Sequence, residues 1–150
     1  MHFSTKIRYA IRAMIQLAVE YGQGPVRLKD IADKQDISLK YLEQVMAPLR
    51  IGKYVKTIKG NKGGYLLMRK PEEISLYDLI CCVEGVMSPV GCAENPESCA
   101  RANICAVHPV WIDLKEKTNN ELKKTLLSDL ARDQLIINSK QTASNVHPVA

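Results

Sequence analysis

The chain has 150 residues, of which 25% are charged, and a formal net charge of +5. This length suits one ordinary domain with an added oligomerisation element and leaves little room for a second core. The longest unbroken apolar runs, such as LICCV at 79–83, are too short to span a bilayer, and the N-terminus has no signal-peptide core. We therefore expect a cytoplasmic protein with no membrane partner.

Basic residues are concentrated in the first half of the chain. Residues 1–70 carry 14 Lys and Arg against 5 Asp and Glu, whereas residues 71–150 carry 7 against 11. A local excess of this kind is typical of a protein that binds a polyanion such as nucleic acid. A charged surface also keeps proteins soluble, so charge alone leaves both interpretations open.

The first predicted element is an amphipathic helix over residues 4–22, which Ser4 can cap. Two shorter helices follow, one around residues 28–32 and one after Ser38, with a break at 35–37. Two short helices joined in this way predict a helix-turn-helix, whose second helix lies in the major groove of DNA. Any two packed helices of a small core would show the same pattern.

The exposed face of the second helix supplies candidate DNA contacts. Gln44 can bridge two atoms of adenine, and Glu43 can accept a hydrogen bond from the cytosine amine. Lys40 and Ser38 can hold phosphates. The predicted set on this face is Ser38, Lys40, Tyr41, Glu43 and Gln44.

A short β-hairpin is predicted after the second helix. YVKTI at 54–58 and YLLMR at 65–69 flank the loop KGNKGG, whose glycines and lysines are typical of a turn. Glycine permits close approach to DNA and lysine neutralises phosphate, so Lys59, Gly60, Lys62 and Gly63 are candidate DNA contacts. This order of elements predicts a winged-helix DNA-binding domain over residues 1–70.

A connecting helix is predicted to begin after Ser75, with Asp78 completing a capping box and Gly85 closing the C-terminal end. Cys81 and Cys82 lie within this helix, where adjacent side chains point in different directions. We interpret both as small, inert side chains.

Residues 91–108 hold three cysteines spaced C-x6-C-x5-C, with a histidine three residues after the last. Structural disulfides are uncommon in a reducing compartment, and the 5 Cys of the chain cannot all pair with one another. Cys92, Cys99, Cys105 and His108 are therefore candidate ligands of a metal centre. An anionic iron–sulfur cluster would be favoured beside the N-terminus of the helix that follows.

Three alternatives remain open for this segment. Three cysteines and a histidine are a common zinc set, although the usual paired C-x2-4-C units are missing. Free thiols can act in redox chemistry. A Cys105–His108 pair could belong to an enzyme, but nothing else in the chain supplies oxyanion donors or a cofactor motif.

One long helix is predicted over residues 109–131, with Pro109 at its first position. A long helix with a narrow apolar stripe usually pairs with its own copy, the alternative being packing onto its own domain. The residues of this stripe, predicted to form the homodimer contact, are Trp111, Leu114, Thr118, Leu122, Thr125 and Leu126. Residues 71–131 would thus contain the connecting helix, the cysteine segment and the dimerisation helix, and the polar residues 132–150 are expected to be a disordered tail.

With the hairpin and the cysteine segment both in view, residues 1–130 resemble the bacterial winged-helix repressor family that includes IscR, NsrR and CymR. The matching pieces are STKIRYAIRAM, LKDIADKQDISLKYLEQVMAPLR, VKTIKGNKGGYLL and the C-x6-C-x5-C-x2-H segment. The resemblance implies a mainly α-helical homodimer with a small β wing that binds palindromic promoter DNA. It places residues 38–44 in the major groove and the wing in the minor groove, with Glu43 in base selection.

The resemblance also implies a cofactor. In the IscR-like branch three cysteines and a histidine hold a two-iron cluster, which implies Cys92, Cys99, Cys105 and His108 as ligands here. NsrR-like members hold a four-iron cluster with an acidic ligand near the partner's N-terminus, where this chain has Arg8, which cannot ligate iron. A [2Fe-2S] cluster is therefore expected rather than a [4Fe-4S] cluster, although this chain has one extra residue between its first two cysteines.

The expected function is an iron–sulfur-sensing transcription repressor. The alternative is a repressor of the same fold with a zinc or free-thiol site.

Overall fold

The structure is a computed structural model that describes residues 3–144. Within that range the fold is mainly α-helical with one two-stranded antiparallel sheet. Single-turn 3-10 segments lie at Pro71–Glu73, Pro96–Ser98 and Ala102–Ile104. The helices and strands are α1 (Thr5–Val19), α2 (Leu28–Gln35), α3 (Leu39–Ile51), β1 (Val55–Ile58), β2 (Gly64–Leu67), α4 (Leu76–Glu84), α5 (Gly91–Glu94), α6 (His108–Lys124) and α7 (Leu127–Ser144).

The elements from α1 to β2 form the predicted winged helix. The side-chain oxygens of Ser4 and Ser38 accept the backbone N–H groups of Ile7 and Tyr41 at 3.2 and 3.3 Å, which satisfies amides that the first turns of α1 and α3 leave free. Asp36 ends α2 in the left-handed conformation, with φ 52°, and so makes the turn into α3. The buried apolar side chains between α1, α2 and α3 are Ile7, Met14, Ile31, Leu42, Val45, Met46 and Leu49.

The wing is the hairpin of β1 and β2, in which Val55 pairs with Leu67 and Ile58 with Gly64. A bridge between Val26 and Tyr65 joins it to the segment before α2, so the wing is held against the helix-turn-helix.

Helix α4 links the winged helix to the rest of the chain. The predicted capping box is present: the Ser75 hydroxyl oxygen accepts the Asp78 N–H, and the Asp78 carboxylate accepts the Ser75 N–H, each at 3.1 Å. Gly85 ends the helix with φ 86°. Because α4 packs against α1, α3 and α6, it connects the winged helix to the helix that follows the cysteine segment.

The long helix predicted over residues 109–131 is interrupted. Helix α6 ends at Lys124, and Leu126 forms an extended bridge with Ser75. The backbone N–H of Leu76 donates to the Thr125 carbonyl at 2.9 Å, and that of Leu127 donates to the Ile74 carbonyl at 2.8 Å. These bonds replace helical ones at the Thr125 carbonyl and the Leu127 N–H, so the prediction of one continuous helix was wrong.

The prediction of a disordered tail over 132–150 also requires correction. Helix α7 runs from Leu127 to Ser144 and packs against α1, because Leu127 and Ala131 at its start are buried in the core. Residues 145–150 lie outside the described part of the chain. Among the helices of the described residues, none has the length and apolar character needed to cross a bilayer.

Candidate nucleic-acid interface and cysteine segment

The predicted recognition helix is α3, and it presents most of the expected side chains to solvent. Lys40, Glu43 and Gln44 are exposed, as contacts with base edges and phosphates require. Ser38 is exposed as well, but its side-chain oxygen accepts the N–H of Tyr41. Its first role is therefore to cap α3.

Tyr41 supports the recognition helix from its inner edge. Its ring is half-buried and meets the ring of Tyr9 edge-to-face, with centroids 5.6 Å apart. The guanidinium of Arg12 lies 5.5 Å from the centroid of the Tyr9 ring, and its Nε donates to the Gln35 side chain at 3.0 Å. Tyr9 and Arg12 were not predicted from the sequence, where their only signal was a position on the outer face of the first helix.

The wing tip is basic and exposed. Lys59, Gly60 and Lys62 are exposed, and the N–H of Gly63 donates to the Gly60 carbonyl at 3.0 Å. A Cβ at Gly63 would collide with the Ile58 carbonyl, so this tight turn requires glycine there.

Arg27 adds to the basic surface beside the wing and was not predicted from the sequence. Its Nη2 donates to the Asn61 carbonyl at 3.2 Å, and the residue is otherwise exposed. It therefore connects the start of α2 to the wing tip, and it brings a further cation to the face that would meet DNA.

The Cys82 side chain on α4 contacts the end of α3, close to the buried ring of Tyr54. The Cys82 thiol donates to the Pro48 carbonyl at 3.3 Å, and burial raises the pKa of that thiol. A raised pKa keeps the thiol protonated at neutral pH, which agrees with the predicted inert role. Burial likewise raises the pKa of Tyr54, over whose ring the Arg69 guanidinium lies, 4.3 Å from the centroid.

Cys81 contacts a different set of neighbours. A hydrogen bond with the Cys81 side chain raises the pKa of Tyr77, and the ammonium of Lys123 lies 4.7 Å from the centroid of the Tyr77 ring. The contact between Lys123 and Tyr77 joins α4 to the end of α6.

The cysteine segment is a series of short turns between α4 and α6. All 5 Cys in the chain are free; Cys92 and Cys105 are half-buried, and Cys99 is exposed. His108 is buried, with 9% of its surface exposed, and is the first residue of α6. The segment therefore ends directly at the helix that was predicted to form the dimer contact.

His108 bonds to the backbone of the first cysteine. Its Nε2 lies 2.9 Å from the Cys92 carbonyl oxygen. A carbonyl can only accept, so Nε2 donates this hydrogen bond, and in the neutral imidazole the lone pair is on Nδ1. A histidine that binds metal usually donates its other N–H to a carbonyl or carboxylate in this way.

The chemistry of Cys92, Cys99, Cys105 and His108 fits an iron–sulfur cluster or zinc, since thiolate and imidazole are ligands for both. In the structure these side chains do not converge as metal ligands would. Within residues 3–144, no group of three or more His, Cys, Asp or Glu side chains is arranged to hold a metal ion. Binding a metal centre would therefore require the turns at 91–108 to rearrange.

The residues predicted to form the dimer contact are divided by the break after α6. Trp111 and Thr118 are half-buried on α6, and Leu114 is 41% exposed. Leu122 instead packs against the core of its own chain, while Thr125 and Leu126 lie in the extended break. Two further apolar side chains on the exposed side of α6 were not predicted, Val107 just before it and Val110 in its first turn.

A family model and a curated relative that resemble the chain are both described as transcriptional regulators. Residues 3–133 match the Rrf2 family, described as "Iron-dependent Transcriptional regulator". The chain is 40% identical over 131 residues to the HTH-type transcriptional regulator CymR of Bacillus subtilis, covering 87% of this chain and 90% of the relative.

Solved structures resemble it as well. The structure of CymR, the global cysteine regulator of B. subtilis, has a TM-score of 0.76 and 39% identity, covering 88% of this chain and 97% of CymR. The structure of IscR from T. potens has a TM-score of 0.73 and 34% identity, covering 89% of this chain and 88% of IscR.

Proposed function

Because the chain belongs to the Rrf2 family of transcription regulators, we propose that it is an iron–sulfur-sensing repressor whose promoter binding depends on the state of its cysteine segment. As a member of that family it is a DNA-binding transcription regulator and not an enzyme, and regulators of this family act as dimers. The proposed ligands are Cys92, Cys99, Cys105 and His108, and a [2Fe-2S] cluster is proposed rather than a [4Fe-4S] cluster.

The observation that carries the proposal is the bond between His108 and the Cys92 carbonyl, 2.9 Å long. This bond joins the first and last of the proposed ligands. It also leaves Nδ1 of a buried imidazole as the ring nitrogen that can bind a metal. A bound cluster would supply a redox-active anionic centre at the start of α6.

A contiguous path runs from that point to the recognition helix. Helix α6 packs against α4, which packs against α3, and the Cys82 thiol contacts the Pro48 carbonyl near the end of α3. A rearrangement of the cysteine segment would therefore change how α6, and with it the partner subunit, is held relative to α3. Coupling between two such sites is typically about 1–3 kcal/mol.

In the proposed DNA complex, α3 enters the major groove and the wing reaches the neighbouring minor groove. Gln44 and Glu43 contact base edges, while Lys40, Lys59 and Lys62 bind phosphates. A two-fold dimer would bind palindromic promoter DNA, with half-sites about 34 Å apart, one turn of the duplex.

A second candidate is a repressor of the same fold that uses free thiols or zinc. Its free-thiol form is favoured by the lack of three converging ligands within residues 3–144 and by the 40% identity to CymR, whose B. subtilis structure is that of a global cysteine regulator. Zinc, like a cluster, would need the ligands to converge. The exposed Cys99 is the thiol most open to modification in that case.

Iron and sulfide analysis with absorption spectra on oxygen-free protein tests the proposal. The parent should contain iron, sulfide and visible absorption, and Cys92→Ala and His108→Ala should lose them. Cys82→Ala is the matched control and should retain them, because Cys82 lies outside the segment on α4. If His108→Ala keeps the parent's iron content and spectrum, the proposed fourth ligand is wrong; colourless protein that contains zinc would support the second candidate.

A further inference from the structure

Lys115 contacts two polar groups of the cysteine segment that are not proposed ligands. Of the four lysines on α6, it is the one that is not exposed, with 20% of its side chain accessible to solvent. Its ammonium lies 2.5 Å from the Glu94 carboxylate and donates to the Ala93 carbonyl at 3.2 Å. Glu94 and Ala93 belong to α5, the single helical turn that carries Cys92.

Helix α5 is thus attached to α6 at two points. His108 binds the Cys92 carbonyl, and Lys115, two turns further along α6, binds the last residues of the same short helix. Residues seven apart lie on the same face of a helix. A helix of four residues, Gly91–Glu94, is too short to be stable without such contacts.

The two attachments differ in what they would do when the segment binds a metal centre. His108 is itself a proposed ligand, so its bond to the Cys92 carbonyl is open to change. Lys115 cannot ligate a metal while protonated, and its partners are a carboxylate and a carbonyl that are not proposed ligands. The Lys115 contact can therefore persist in both states of the segment.

We propose that Lys115 is a positioning residue. In the empty protein it holds α5, and with it Cys92, beside the start of α6, so that Cys92 is already in place when the segment takes up its metal centre. This inference rests on the proposed function for its purpose, but the positioning itself is a property of the empty chain. It can therefore be measured without any cofactor.

The test is the alkylation rate of individual cysteines in full-length, reduced, chelator-treated protein, followed by fragment-ion mass spectrometry. Lys115→Met keeps most of the side-chain length and removes the ammonium, and it should increase the alkylation rate of Cys92 by about fivefold. Cys99 is exposed in the same segment and should react at the parent rate in every variant. A nearby ammonium stabilises a thiolate, so its removal by itself would make a thiol less reactive. Faster alkylation of Cys92 therefore indicates that α5 has opened.

Two further variants separate positioning from a general loss of structure. Lys115→Arg keeps a cation of similar reach and should restore an alkylation rate near that of the parent. Lys117→Met removes an exposed ion pair of α6, 2.7 Å from Asp113, and should leave Cys92 unchanged. A parent rate at Cys92 in Lys115→Met, an equal increase at Cys99, or the same increase in Lys117→Met would each overturn the assignment.

The outcome is independent of the iron analysis described above. If the parent protein binds no iron, the proposed function fails while the alkylation difference still stands. If the parent binds iron and Lys115→Met alkylates like the parent, the positioning role fails and the sensor remains. With both in place, Lys115→Met should take up iron and sulfide more slowly than Lys117→Met on reconstitution.

Discussion

Replacement of Lys62 by alanine tests whether the wing tip binds DNA phosphate. Lys62 is exposed at the turn between β1 and β2, and within the described residues its ammonium takes part in no ion pair. It is therefore available to a phosphate without first losing a carboxylate partner. We expect Lys62→Ala to weaken binding to all duplexes alike, because phosphate contacts carry no base sequence.

The size of the effect follows from the two wings of a dimer. Each phosphate neutralised by a lysine contributes about 0.9 to the slope of log K against log salt. Loss of one contact in each subunit should therefore make that slope about 1.8 less steep. Between about 50 and about 200 mM salt, the ratio of parent to variant affinity should shrink about tenfold.

Fluorescence anisotropy with a labelled promoter duplex and a scrambled duplex, at several salt concentrations, measures both quantities. Lys117→Ala is the matched control, because Lys117 is equally a surface lysine but is paired with Asp113 on α6, 2.7 Å away. It should leave the slope unchanged. A parent-like slope for Lys62→Ala, or a loss of affinity for the promoter duplex alone, would refute the assignment of the wing tip to phosphate binding.

Three further predictions follow from other parts of the molecule. Gln44→Ala should reduce the preference of the protein for promoter over mismatched duplex by about 1–3 kcal/mol with little change in the salt slope, measured by competition binding. Ser75→Ala removes the side-chain half of the capping box with Asp78 and should lower the free energy of unfolding by about 1 kcal/mol in urea denaturation; an unchanged midpoint would contradict this role. Because burial raises the pKa of Cys82, its alkylation should require a higher pH than that of the exposed Cys99, and equal pH profiles would show that Cys82 is not buried as described.

The cysteine segment shows how far sequence patterns could define a site. Spacing alone predicted Cys92, Cys99, Cys105 and His108 as a group of candidate metal ligands, because residue type and separation are visible in the chain. The spacing could not show that the histidine bonds to the Cys92 carbonyl. Backbone acceptors are the same at every residue, so no sequence signal marks which carbonyl a side chain will reach.

The same limit applies to the DNA-facing surface. Most of the exposed positions of α3 could be predicted from helical periodicity: Ser38, Lys40, Glu43 and Gln44 are exposed in the structure, whereas Tyr41 is half-buried. Arg27 was not predicted, because its contact with the Asn61 carbonyl joins residues 34 positions apart. That contact exists only once β1 and β2 have folded back beside the start of α2.

What the sequence determined by itself is the set of elements whose signals are local. The caps at Ser4, Ser38 and Ser75 act on amides three residues away, so the starts of α1, α3 and α4 are encoded within a few positions. The order of helices and hairpin, and with it the winged helix, follows from these starts and from the apolar periodicity between them.

Only the tertiary structure decided where α6 ends. The apolar stripe continues without interruption through residues 125 and 126, and nothing local marks a break. The helix ends there because Ile74 and Leu76, about fifty positions earlier in the chain, offer extended backbone groups that bind Thr125 and Leu127. Hydrogen bonds to a distant segment replace the helical bonds at the same groups, and only the folded chain brings that segment within reach.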